Sequence, residues 1–289
     1  MENVPLLVVG EIIVDFTTAR PGADCKLRLG GIVHAARGLW ASGMPYAVAA
    51  VCPRYLLDQA RNFLKAHGCI DFIWLGEVIG APNVIVIGDA TEVSHQGYQD
   101  LLRDEKSVEM KDVGDTLRIY TEVLVFPGGY DIAYIKVFFS PEARYSFDIA
   151  YDAEDFSVLE KFVGHINAVI ISTSSPLFLT KGSNDIDPVL EDVKRLEPEI
   201  FLLKENRGGS RVFKIDTGES EHVPAQLSST VNSVGVGDVY SAVMVGFGTD
   251  RWREAAWRGA MAATAYSQTT FPDDFKKEVS RSDKLSINE

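Results

Sequence analysis

The residues best suited to chemistry lie together in Asn232-Ser233-Val234-Gly235-Val236-Gly237-Asp238. Two glycines flank Val236, so the backbone can turn sharply and point N–H groups outward just before a helix predicted over about 238–246. Such a turn attracts anions, because unpaired N–H groups and the positive end of a helix dipole meet there. Asp238 stands in the first helical turn, beside any phosphate the loop would hold. A carboxylate base next to an anion site suits phosphoryl transfer. The competing reading is a glycine turn that only closes a buried helix.

Several elements would have to position this turn. Leu6-Leu7-Val8-Val9-Gly10-Glu11-Ile12-Ile13-Val14-Asp15 is nearly continuous in apolar residues, the pattern of a strand covered on both faces. Ligands approach such sheets at the C-terminal ends of the strands, where Asp15 stands, although Asp15 could equally cap the next turn. Gly30-Gly31 precedes a predicted helix over 32–43 that begins near His34 and closes on Gly43. A single histidine there is either a structural donor or a ligand contact. A strand over 47–51, a helix over 55–66 and a strand over 70–75 read as a βαβ unit. An exposed strand around 25–29 and an apolar hairpin over 84–93, turning at 88–91, would make a small separate sheet. A polar, helix-like stretch covers 99–106. Further buried strands are predicted over 123–126, 168–172 and 201–204, a helix over 187–196, a hairpin over 211–223 and a last helix over 252–268. The polar tail over 276–289 is expected to fray.

Composition narrows the classes. With 289 residues, 46% hydrophobic and 24% charged, the chain reads as one globular α/β domain spanning 1–289. A net charge of −13, from 28 Lys and Arg against 41 Asp and Glu, argues against a nucleic-acid surface. Cys25, Cys52 and Cys69 are too few and too scattered for a disulfide framework or a zinc site, and read as small buried hydrophobes in a reducing compartment. No leader pattern and no membrane span are expected, which makes the cytoplasm the default.

The glycine turn resembles the Asp-Thr-x-Gly-Ala-Gly-Asp signature of the ribokinase-like (PfkB) carbohydrate kinases. Gly235, Gly237 and Asp238 match it, while Asn232 replaces the leading acid and Val236 the alanine. Other matches follow the family's order. Gly30-Gly31 and the helix to Gly43 resemble its Gly-Gly-x-x-x-Asn-x-Ala segment, with His34 for the substrate-binding asparagine. Asp148-Ile149-Ala150-Tyr151-Asp152-Ala153-Glu154-Asp155-Phe156 resembles Asp-Pro-Asn-Tyr-Arg-Pro-Glu-Leu-Trp, with Ala150 for asparagine and Asp152 for arginine. Phe201-Leu202-Leu203-Lys204-Glu205-Asn206-Arg207-Gly208-Gly209 resembles its strand and Lys-Leu-Gly-x-x-Gly, with Asn206 at the first glycine. Ser172-Thr173-Ser174-Ser175 stands where the family carries Asn-x-x-Glu, the motif that organises magnesium.

The resemblance implies a three-layer α/β/α sandwich with a mostly parallel central sheet, and a small β-sheet lid formed by about 16–31 and 82–98. It implies ATP and Mg2+ as cofactors, with Asp238 as catalytic base and Gly235, Val236 and Gly237 as the anion hole. Asp15, Gly30, Gly31 and His34 are then expected at the acceptor, and Lys204, Asn206 and Gly209 at the nucleotide; the metal ligands are unknown. A neutral acceptor is expected, since Asp152 reverses the charge of an arginine that faces acidic substrates: a sugar, a polyol such as inositol, or a nucleoside. The apolar strands of a projecting lid would invite pairing into a homodimer. The alternative is a non-catalytic sugar- or nucleotide-binding regulator, suggested by the missing Asn-x-x-Glu. A dinucleotide-dependent oxidoreductase is disfavoured, because Gly10 does not open the glycine pattern that brings a helix to a pyrophosphate.

Overall fold

The computed structural model describes residues 4–19, 24–88, 98–149, 153, 155–183, 185–205, 209–225, 230–270 and 272–282. Its organising element is β1 (Leu6–Thr17), a twelve-residue strand that serves two sheets. The N-terminal half, Leu6 to Glu11, pairs in parallel with β3 (Tyr46–Val51) and, over Leu7 to Val9, with β8 (Glu122–Val125). Its apolar residues alternate between two cores. Leu7 and Val9 join one, and Leu6 and Val8 the other, as the two-residue period of a doubly covered strand requires.

The remaining strands are β4 (Phe72–Ile79), β7 (Ser107–Met110), β9 (Arg144–Ile149), β10 (Ile166–Ser172), β11 (Ile200–Lys204), β12 (Ser210–Lys214) and β13 (Glu219–Val223), together with β2 (Lys26–Gly31), β5 (Val84–Ile87) and β6 (Tyr98–Asp100). The main sheet runs β13-β12-β11-β10-β9-β8-β1-β3-β4-β7, parallel from β11 to β4 and antiparallel at both margins. One face carries α1 (Val33–Ala41), α2 (Leu57–Ala66), α6 (Val236–Phe247) and α7 (Trp252–Gln268). The other carries α3 (Ile132–Lys136), α4 (Pro176–Lys181) and α5 (Asp187–Lys194). This is the expected three-layer sandwich.

The C-terminal half of β1 belongs to the lid. Ile12 to Thr17 pairs antiparallel with β2, and Val14 to Thr17 pairs in parallel with β5, which in turn pairs antiparallel with β6. The lid therefore begins earlier than residue 16 and reaches past 98.

Local departures have simple causes. Instead of a polar helix over 99–106, the chain forms β6, a short 3-10 turn over Arg103–Glu105 and then β7, because the open edges of β5 and β4 supply backbone partners that a solvated helix would lack. The tail does not fray at 276: α8 (Pro272–Ser282) buries Phe275 and Val279, one helical turn apart, against Val239, Val243 and Tyr266. Cys52 is buried, Cys69 half-buried and Cys25 exposed, so only part of the cysteine expectation holds. The turn expected over 88–91 lies largely outside the described residues, as do Ala150, Tyr151, Asp152, Glu154 and Asn206.

Candidate active site

Asp15 in β1, Asp148 in β9, Ser172 in β10 and Lys204 in β11 all lie toward the C-terminal ends of their strands, and the glycine turn that starts α6 is set against them. Gly235 is the N-cap residue, with φ +78, a left-handed conformation that favours glycine. Space demands glycine as well, since a Cβ there would stand 2.1 Å from Cγ of His34. No side chain caps this helix. Val236 N–H is spent on Ser233 O at 3.2 Å, whereas the N–H groups of Gly235, Gly237 and Asp238 meet no acceptor among the described residues. The open donors are thus shifted by one residue from those predicted: Asp238 contributes its own N–H in place of Val236.

The Asp238 side chain is half-buried and has no hydrogen-bond or ion-pair partner among the described residues. Burial, and then the nearby Asp148 and Asp15 carboxylates, push it up to about 7, against the pull of the Lys204 ammonium. An unpaired carboxylate with that proton affinity is matched to taking a proton near neutral pH.

Asp15 and His34 come together, chiefly with each other. His34 Nε2 lies 2.8 Å from Asp15 Oδ2, while Nδ1 lies 2.7 Å from the Tyr266 hydroxyl and 3.2 Å from Arg37 Nη1. Arginine can only donate and a carboxylate only accept, so His34 is neutral, protonated at Nε2, and accepts at Nδ1. Burial accordingly brings its pKa down to about 4, with Arg28 and Arg37 reinforcing the shift and Asp15 opposing it. Burial alone would raise Asp15, but His34, Arg28 and Arg37 outweigh it and hold that carboxyl low. Gly30 leaves room for this arrangement, since a Cβ there would fall 2.0 Å from Asp15 Oδ1. Gly31, at φ +60, passes over Glu11 O.

Arg28, which sequence reasoning overlooked, reaches from the lid strand β2 to Asp15 Oδ2 at 3.3 Å and Val234 O at 3.2 Å. The Asn232 amide, oriented with its oxygen inward, accepts from both terminal nitrogens of Arg28 at 2.8 Å. The β2 strand, the Asp15 carboxylate and the glycine turn are therefore joined by one guanidinium.

Lys204, expected at the nucleotide, donates from Nζ to Asp148 Oδ1 at 2.9 Å and Oδ2 at 2.7 Å, and reaches the first turn of α6. Gly209, at φ +95, packs on the backbone of Val223 to Ala225, so its glycine is required by the β12–β13 hairpin itself. Ser172 and Ser174 share a 2.8 Å hydrogen bond and Ser175 caps α4, which commits these hydroxyls to the turn. Among the described residues no group of three or more His, Cys, Asp or Glu side chains is placed to hold a metal ion. Magnesium needs only one or two protein carboxylates when phosphates and water complete its shell, and the turn at Ser172 to Ser175 offers hydroxyls without a charge. A phosphate does fit, at the open N–H groups of the glycine turn.

Comparison with solved structures gives the architecture an identity. Ribokinase from Thermotoga maritima superposes with a TM-score of 0.67 at 14% identity, covering 97% of this chain and 99% of the other. Adenosine kinase from Sinorhizobium meliloti gives 0.66 at 14%, covering 98% and 100%. Arabidopsis thaliana ribokinase, complexed with ribose and ATP, gives 0.62 at 14%, covering 98% and 99%. The fold is ribokinase-like. No protein-family profile and no curated protein sequence matches the chain. The ribokinase-like fold is thus shared at 14% sequence identity with each of these three structures. No helix among the described residues is long and apolar enough to cross a membrane.

Proposed function

We propose that the protein is an ATP-dependent kinase that phosphorylates a hydroxyl of a small neutral acceptor, a sugar, a polyol such as inositol, or a nucleoside. The observation that carries this reading is the Asp238 carboxylate, in the first turn of a helix, which like the N–H groups of Gly235, Gly237 and Asp238 meets no partner among the described residues. Asp238 takes the proton of the acceptor hydroxyl, and the N–H groups of Gly235, Gly237 and Asp238 hold the oxygens of the phosphoryl group as it passes in line. ATP supplies that group, bound toward Lys204 and Gly209. Magnesium would be carried by the nucleotide phosphates and water, and no step rests on a protein-held ion. A neutral acceptor is favoured because Lys204 and Arg28 are each already paired with a carboxylate, which leaves neither cation unspent beside Asp238. Asp15, Gly30, Gly31 and His34 shape the acceptor end, with the lid above them excluding water.

The test is ADP release with magnesium-ATP against panels of neutral sugars, polyols, nucleosides and acidic sugars. Turnover with a neutral compound supports the reading. Binding without phosphorylation of any compound overturns it in favour of a non-catalytic regulator, a reading to which the mutual pairing of Asp15 with His34 lends some weight.

A further inference from the structure

Lys204 and Asp148 form a buried ion pair directly behind the glycine turn. Their side chains are 13% and 4% exposed, and they come from β11 and β9, the two strands that flank β10. The carboxylate takes two hydrogen bonds from the ammonium, which fixes Nζ in one place. From there Nζ donates to Ser241 Oγ at 3.2 Å and lies 3.5 Å from Gly237 O, while Ser241 Oγ donates to the same carbonyl at 3.0 Å. Gly237 carries this contact because it has no side chain, since a Cβ would sit 3.3 Å from Nζ. Lys204, held by Asp148, thus meets the first turn of α6 at the Gly237 carbonyl and the Ser241 hydroxyl.

We propose that Lys204 and Asp148 are a positioning pair: locked by Asp148, the Lys204 ammonium holds the Gly237 carbonyl and the Ser241 hydroxyl, and so fixes the first turn of α6 and sets both charges beside the turn that carries Asp238. This rests on the reading of Asp238 as the base. Among the described residues, the charged and titratable groups that face Asp238 or its turn are Asp148 on β9, Lys204 on β11, Asp15 on β1, His34 on α1 and Arg28 on β2. His34 is neutral and Asp15 is neutralised by Arg28, so Asp148 and Lys204 are the pair whose removal acts most directly. A buried pair also makes single and double substitutions inequivalent. Losing one partner strands the other charge, whereas replacing both by uncharged groups does not.

The test uses the full chain and needs no substrate. The pH dependence of unfolding is measured for Asp238→Asn against the parent, and the difference between them reports the titration of Asp238. The same difference is then measured in an Asp148→Asn background, which keeps the shape and an acceptor for Lys204. The expected result is that the midpoint of the Asp238 window falls by about one pH unit, the usual scale for removing a nearby like charge. Lys204→Met is expected to be less stable than Lys204→Met/Asp148→Asn, and that double variant also keeps the test readable if the single one does not fold. An unchanged midpoint, or a double variant no more stable than Lys204→Met, overturns the proposal. Where an acceptor is turned over, the acidic limb of kcat/KM shifts down with Asp148→Asn while KM for the acceptor holds. A shifted midpoint without turnover of any acceptor sustains the positioning pair and removes the kinase reading. Turnover with an unshifted midpoint does the reverse.

Discussion

Replacing Asp238 by asparagine should cost activity and add stability, and the second effect can be worked out from the structure alone. The carboxyl titrates near 7 in the folded chain against 3.8 when free. Between those values the folded state holds a proton that the unfolded state has released, so stability falls as pH rises through the window. Three pH units correspond to about 4 kcal/mol as a ceiling, at about 1.36 kcal/mol per unit. Asp238 is only half-buried, and water reaching it from the cleft will lower this to about 2–3 kcal/mol. Asparagine has no charge to bury and escapes the whole effect. In urea denaturation from pH 4.5 to 8.5, the difference in stability should be smallest at the acid end, and the variant should gain steadily until the difference levels off above pH 7. All other titrating groups are common to both proteins and cancel in the difference. A difference that stays flat across this range would refute the claim that Asp238 is held in a strained, proton-binding state.

Four further outcomes are expected. Asp238→Asn should lower kcat by at least about 10²-fold on whichever acceptor is turned over, the usual contribution of a general base, as read by ADP release. Gly235→Ala places a Cβ 2.1 Å from the His34 ring at φ +78, and should lose about 2 kcal/mol or more in urea denaturation together with most of the activity. His34 titrates near 4 when folded and 6.5 when free, so the unfolded state gains a proton first as pH falls and stability is lost between about 6.5 and 4; His34→Gln should flatten that acid-side loss in thermal melts compared across the same buffers. Phe275→Ala should cost about 3 kcal/mol and expose α8 to limited proteolysis, because this ring is 1% exposed and packs 4.9 Å from Tyr266.

The features that sequence displayed are those set by neighbours in the chain. The turn around Gly235 and Gly237, the apolar run from Leu6 and the strand ending at Lys204 each follow from local periodicity or from the geometry only glycine adopts. The links between them are not local. Arg28 meets Val234 across 206 positions and Lys204 meets Asp148 across 56, and no spacing rule announces such partners. His34 looked like a departure from a substrate-binding asparagine, yet its two ring nitrogens are already committed to Asp15 and Tyr266, a fact visible only once β1, α1 and α7 are assembled. The stretch over 99–106 was misread because polar residues on an edge strand resemble those on a solvated helix, and only open neighbouring strands decide between them. The last helix was legible in principle, since Phe275 and Val279 fall one helical turn apart.

Because β1 runs unbroken from the central sheet into the lid, the lid has no linker on which to swing at that point. Opening must be absorbed as torsion within the strand, between the pairs it makes to β3 through Glu11 and those it makes to β2 from Ile12 onward. Asp15 lies beyond that point, in the part of the strand paired with β2, and His34 packs between it and the glycine turn. The strand, Asp15 and the imidazole beside Gly235 therefore form one continuous run of contacts from the smaller sheet to the glycine turn.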